Sequence, residues 1–213
     1  MPADRVHLVR HGEVFNPRGV LYGRLPNFAL SERGQQMAQL AAEEVNSQQR
    51  PVKALFVSPL QRTRESAKPF ERAFGLTPLV DERLIEPFNV FEGMRVSLGQ
   101  ILIRPHLLFH FRKPSAPSWG EPYEQIVSRM RAVVAEAFDS VASGDVVLVS
   151  HQLPIWMLHS SVAGIKLPHN PSKRRCSLSS ITSFEMQNGK LAEVSYLEPA
   201  KKLLEHATDE GAV

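Results

Sequence analysis

Short apolar runs alternate with amphipathic stretches along most of the chain, and the pattern then changes to two closely spaced strand-like runs. Val6 to Arg10 is apolar and β-branched and reads as a strand, closed by the loop "GEVFNPRG". From Ser31 to about Val45, residues Met37, Leu40, Ala41 and Val45 recur at helical spacing, with Ser31 placed to cap the first turn. "VKALFVS" (52–58) predicts a second strand running into a helix, with Ser58 as cap, Pro59 at the first helical position and Gln61 at the third. Pro69 predicts a kink in that helix, and "LTPLV" (76–80) a further short strand.

Residues 87–120 lack a period and are rich in Phe, His, Arg and Pro, which predicts an insertion with one or two short helices. Beyond Pro122 the stripe Ile126, Met130, Val133, Val134, Ala137, Phe138 and Val141 predicts a long helix, stopped by Gly144. "DVVLVS" (145–150) is almost uninterruptedly apolar, as a central parallel strand buried on both faces would be. A helix is expected from about His151 or Gln152, with Pro154 tolerable in its first turn. The last two runs flank Gln187-Asn188-Gly189 and predict a hairpin.

This succession predicts an α/β fold: a three-layer α/β/α sandwich whose sheet is mostly parallel with an antiparallel edge strand. One domain is expected over residues 1–213, with the insertion at about 87–120 forming a lid. A hydrophobic content of 43% suits a full core, and a net charge of +3 without a long basic block argues against a nucleic-acid partner. Cys176 is the single cysteine, so there is no intrachain disulfide and no thiolate cluster. No signal-like or membrane-spanning run is visible, which makes a cytoplasmic protein without a membrane partner the expectation.

Three of the strands end in chemically loaded residues: "LVRHGE", "FVSPLQR" and "LVSHQ". In a parallel sheet the carboxyl ends of the strands meet at one edge, so Arg10, His11, Arg62 and His151 would be neighbours. Taken singly, each has a plain reading: a surface cation, a structural histidine, a helix cap. Two arginines, two histidines and two helix N-termini at one edge instead describe an anion site, with phosphate as its natural guest.

Taken together, "VRHGE", "YGRLPNFALSERGQQMA", "VSPLQRTRESA", "RLIE", "SWGEPYEQIVSRM" and "VLVSH" resemble, in order, the motifs of the histidine phosphatase superfamily, the branch that includes the cofactor-dependent phosphoglycerate mutases. The likeness covers most of residues 5–185 and is weakest between 94 and 117.

The resemblance implies roles. His11 matches the nucleophile that forms a phosphohistidine, Arg10 and Arg62 the guanidiniums on the phosphate oxygens, and His151 the second histidine of the phosphate pocket. Glu86 matches the general acid, with Glu82 and Glu92 as rivals because the segment after it, "PFNVFEG", departs from the family pattern. Asn16 matches a loop residue that touches phosphate, and Gly23, Arg24 and Gln152 are candidates for the substrate pocket. Glu13 and Ser58 are expected to be structural. Val14 stands where a small hydroxyl residue is usual, and Gln152 where glycine is usual.

No cofactor is implied, and no metal, although His106 and His110 lie at helical i,i+4 spacing. A phosphomonoesterase acting on a small phosphorylated substrate is the favoured function. Phosphoglycerate mutase-type transfer and a non-catalytic phosphate-binding protein are the alternatives. The free edge of the hairpin could pair two chains into a homodimer.

Overall fold

The computed structural model describes residues 2–95 and 120–209. Its strands are β1 (Arg5–Arg10), β2 (Val52–Val57), β3 (Leu79–Val80), β4 (Asp145–Ser150), β5 (Ile181–Gln187) and β6 (Lys190–Leu197). They form one sheet in the order β3-β2-β4-β1-β5-β6. The first four in that order are parallel; β5 runs antiparallel to β1, and β6 to β5. The antiparallel edge is therefore two strands wide and consists of the expected hairpin. Its turn residues Asn188 and Gly189 have φ of 52° and 74°, as a tight two-residue turn between twisted strands requires.

Alternation along the strands feeds two cores. Val6, Leu8, Phe56, Val146 and Leu148 face α3 (Tyr123–Asp139) and α4 (Gln152–Ala163). Val9, Leu55, Val57, Val147 and Val149 face α1 (Glu32–Ser47) and α2 (Gln61–Phe74). Helices thus cover both faces of the sheet, the three-layer sandwich expected from the sequence. A short α5 (Lys201–Leu204) follows β6.

Some buried strand positions break the apolar rule, and three of them are linked. His7 lies within β1 and is bonded to Ser183 Oγ (2.8 Å) and Asp145 (3.3 Å), while Arg50 also grips Asp145 from outside. Ser183, His7 and Asp145 are all at or below 1% exposure, so this chain ties β5, β1 and β4 together out of reach of any substrate.

Local differences from expectation have clear causes. α1 is capped by Ser31, whose side chain accepts from Gly34 N, as its sequence suggests. α2, by contrast, starts at Gln61 with Leu60 as its cap residue, because the Ser58 hydroxyl is engaged by His151. That helix continues through Pro69 to Phe74. α3 ends at Asp139, five residues before Gly144, whose φ of +87° instead turns the chain into β4.

An antiparallel bridge between Asn89 and Gly120 joins the two flanks of the expected insertion. Its middle, with His106, Phe109, His110, Phe111, Arg112, Lys113 and Trp119, lies outside the described residues, so the expectation of a lid falls largely outside them too. No helix among the described residues is long and apolar enough to cross a membrane.

Candidate active site

Because β2, β4 and β1 are neighbours in the sheet, their carboxyl ends lie side by side. His11 N donates to Ser150 O (3.1 Å) and Ser58 N to Val149 O (3.0 Å), extending the strand register to the residues that carry the chemistry. The rings of His11 and His151 are 5.2 Å apart between centroids. Arg10, His11, Arg62, Glu86 and His151 are all buried there.

His11 Nδ1 lies 2.8 Å from Gly12 O. A carbonyl can only accept, so Nδ1 carries the proton and Nε2 the lone pair. Arg62 Nε is 3.3 Å from that Nε2 and donates to it. Burial, followed by the charges of Arg62 and Arg10, holds the His11 pKa well below the ordinary histidine value, so the ring is neutral at pH 7. A neutral imidazole with its lone pair aimed into a cationic pocket is the state a nitrogen nucleophile needs.

Arg62 reaches this place from the first turn of α2. Its Nη2 donates to Gly23 O (2.8 Å), and its guanidinium stacks 4.8 Å over Tyr22. Arg10 donates to Cys176 O (2.6 Å) and holds the Asp209 carboxylate through both terminal nitrogens. Burial opposes the Arg10 charge, but Asp209 outweighs it and raises the pKa.

His151 meets Ser58 Oγ at 2.7 Å through Nε2, while its buried Nδ1 has no hydrogen-bond partner among the described residues. That nitrogen lies 3.8 Å from Glu86 Oε2. Burial, and then Arg62 and His11, keep the His151 pKa well below the usual value. Burial has the opposite effect on Glu86, pushing its carboxyl up while Arg62, Arg174, Arg10 and Arg129 pull it part of the way back. Of the three rival acids, Glu86 is the one brought to the histidines. Glu82 is exposed on a short 3-10 turn. Glu92 instead pins loops together by accepting from Arg24 N and Asn89 N, each at 3.0 Å.

The remaining sequence candidates are placed as follows. Gly23 supplies the carbonyl for Arg62, and Arg24 Nε donates to Glu86 O (2.5 Å). Gln152, at the start of α4, accepts from Arg174 Nη1 at 3.2 Å. The Asn16 amide bonds both N and O of Val20, closing its own loop. Glu13 accepts from Ser31, Arg33 and Thr208 N, the structural position expected of it.

Gly12 is required by backbone packing. A Cβ there would lie 2.2 Å from Gly34 O, and one on Gly34 would lie 2.0 Å from Glu13 O. Val14 is buried in a bridge with Leu30, so an apolar side chain suits the place.

Four contributors were not named as site residues from the sequence. Ser66 stands in the matching segment "VSPLQRTRESA" where threonine is usual, and its hydroxyl accepts from Gly12 N (3.1 Å) and steadies the loop after His11. Arg174 lies in the short basic run "SKRRC" (172–176), Tyr22 opens the matching segment "YGRLPNFALSERGQQMA" without being singled out in it, and Asp209 gave no signal at all.

The family model of the histidine phosphatase superfamily (branch 1) matches residues 6–198. The chain belongs to that superfamily. It is 44% identical to the uncharacterized protein Rv0525 of Mycobacterium tuberculosis, over 94% of this chain and 99% of that one. At 29% identity it is similar to a probable phosphoglycerate mutase GpmB of Yersinia enterocolitica, over 83% and 84% of the two chains. At 29% it is also similar to phosphoserine phosphatase 1 of Hydrogenobacter thermophilus, over 75% and 76%. Its fold superposes on the mycobacterial glucosyl-3-phosphoglycerate phosphatase Rv2419c with a TM-score of 0.70 and 24% identity, covering 90% of this chain and 97% of that one.

Proposed function

We propose that this superfamily member is a phosphomonoesterase that works through a phosphohistidine on His11. The observation that carries the reading is the fixed tautomer of His11: Nδ1 held on Gly12 O, and Nε2 free of a proton and facing Arg62.

The phosphoryl group of the substrate takes its place between Arg10 and Arg62, displacing the Asp209 carboxylate. His11 Nε2 attacks phosphorus as the P–O bond to the leaving group breaks. Glu86, whose burial favours the protonated carboxyl, gives its proton to the departing alkoxide. The resulting carboxylate takes a proton from water, whose oxygen attacks phosphorus and cleaves the P–N bond. Inorganic phosphate leaves, with His11 neutral and Glu86 protonated again. His151 Nδ1, with no hydrogen-bond partner among the described residues, is placed to donate to a phosphoryl oxygen as charge builds there.

A mutase shares the first half of this cycle and differs only in the acceptor, a second hydroxyl instead of water. The likeness to a probable phosphoglycerate mutase keeps that reading in play. A non-catalytic phosphate binder would have no use for a neutral, oriented His11 beside a buried carboxyl.

Phosphate release from an aryl phosphate tests the proposal. Wild type should turn over and trap an acid-labile, alkali-stable phosphoprotein, and His11→Ala should do neither while remaining folded. Turnover by His11→Ala equal to wild type would overturn it. Conversion of 3-phosphoglycerate to its 2-isomer, primed with a bisphosphoglycerate and outpacing phosphate release, would favour the mutase.

A further inference from the structure

Arginines in the described structure are either exposed or paired with a carboxylate, with two exceptions, Arg62 and Arg174. Arg62 has its place in the phosphate pocket. Arg174 has none in the cycle above, yet it is partly withdrawn from water, and burial lowers its pKa.

What holds Arg174 is unusual in kind. Its Nε donates to His169 Nε2 (2.8 Å), and its Nη1 to Gln152 Oε1 (3.2 Å). His169 Nδ1 lies on Leu167 O (2.6 Å), which fixes the proton on Nδ1 and leaves Nε2 as a neutral acceptor. The His169 ring packs in turn on Tyr123 and Trp156, each 5.7 Å away between centroids. Two neutral groups therefore orient the guanidinium without cancelling its charge. Nη2 has no partner among the described residues, so the fork formed by Nη1 and Nη2 remains open to a bidentate anion.

Position decides which anion. Gln152 directly follows His151, and His151 is 3.8 Å from Glu86. Glu86 is the carboxyl nearest in effect to Arg174, and in the cycle proposed above it is protonated when substrate binds. Arg174 then faces the leaving-group side with no counter-charge. A half-buried guanidinium without a counter-charge loses part of its hydration, and an anion on the substrate would offset that loss.

We propose that Arg174, oriented by Gln152 and His169, receives a second anionic group on the leaving group. The substrate class is then a phosphate monoester that also carries a carboxylate or a second phosphate. This rests on the assignment of the phosphate pocket and Glu86 made above, and it is tested by binding so that it does not depend on turnover.

Calorimetry on His11→Ala would compare 3-phosphoglycerate, glycerol 3-phosphate and 2,3-bisphosphoglycerate. The first should bind more tightly than the second by about 10- to 100-fold, the worth of one charge-assisted bidentate contact. Tighter binding of the third than the first would assign the site to phosphate instead of carboxylate. Adding Arg174→Gln should abolish the preference over glycerol 3-phosphate, and Arg174→Lys should leave part of it. If that variant folds poorly, the same three ligands are compared as competitive inhibitors of wild-type aryl phosphate turnover. Equal binding of all three, or a preference that survives Arg174→Gln, overturns the subsite. A preference that depends on Arg174 in a protein showing no turnover would overturn the phosphatase reading and leave the subsite standing.

Discussion

The Asp209 carboxylate lies on the Arg10 guanidinium, with Oδ1 2.5 Å from Nη2 and Oδ2 2.8 Å from Nη1. A carboxylate in this position uses the same donors that a phosphoryl group would need. The chain leading to it is tied down nearby, with Thr208 N on Glu13 (2.8 Å) and His206 O on Arg33 (2.7 Å). Asp209 is 37% exposed, so solvent screens the pair and its net worth falls in the range of about 0.2–1 kcal/mol. Asp209→Asn should therefore lower KM for an aryl phosphate by up to about fivefold, with kcat little changed. An unchanged KM and an unchanged inhibition constant for inorganic phosphate would show that the carboxylate does not compete.

Opposite shifts of His11 and Glu86 set the pH profile. His11 must be neutral to attack, and burial together with Arg62 and Arg10 lowers its pKa. Glu86 must be protonated to serve the leaving group, and burial raises its pKa. Activity should thus be bell-shaped in pH, with its acid limb at low pH because the His11 value is depressed and its alkaline decline displaced upward because that of Glu86 is raised. Glu86→Gln should remove the alkaline decline, and slow alkyl phosphates far more than aryl phosphates, whose leaving groups need less help from an acid. Stability is linked with its own sign. Two histidines with depressed folded values, His11 and His151, make the fold lose stability as pH drops below about 6.5, where they protonate only in the unfolded chain. Melting temperature followed from pH 7.5 downward should fall over this range.

Much of this site is local in sequence, which is why it could be read. Arg10, His11 and His151 sit at strand ends whose apolar runs are unmistakable, and Arg62 lies one helical turn past another. Glu86 was ambiguous because three acids share one irregular segment, and only burial separates them. Arg174, His169 and Asp209 reach the site from loops and a tail with no period to locate them. Their roles depend on which way long side chains turn once the sheet is assembled. The misplaced cap of α2 has the same origin: Ser58 has all the local features of a capping residue, but a tertiary partner, His151, takes its hydroxyl.

That partnership has a consequence for catalysis. For His151 Nδ1 to donate to a phosphoryl oxygen, its Nε2 must accept, so the Ser58 hydroxyl must be the donor in their 2.7 Å bond. Ser58 is then a positioning residue that selects the tautomer. Ser58→Ala should lower kcat about tenfold or more with a smaller change in KM. Nitrogen NMR of the imidazole should place the His151 proton on Nδ1 in wild type and on a mixture of both nitrogens in the variant. A His151 protonated on Nε2 in wild type would overturn this role.

Gly34 offers a test of how the loop after His11 is held. In most helices Gly→Ala is favourable by roughly 0.5–1 kcal/mol, because alanine loses less backbone entropy. Here the sign should reverse. A Cβ on Gly34 would lie 2.0 Å from Glu13 O, a backbone atom that can move only by shifting the strand-to-loop junction carrying His11. The facing contact, a Cβ on Gly12 at 2.2 Å from Gly34 O, leaves no room on the other side. Overpacking of this kind costs about 1–3 kcal/mol. Gly34→Ala should accordingly lower the denaturation midpoint without changing the slope. Because the displaced backbone leads directly to His11, kcat for aryl phosphate should fall as well, even under conditions where the variant is fully folded. A variant as stable as wild type would mean that α1 can withdraw from the loop without cost, and that the glycine pair does not set the position of the histidine.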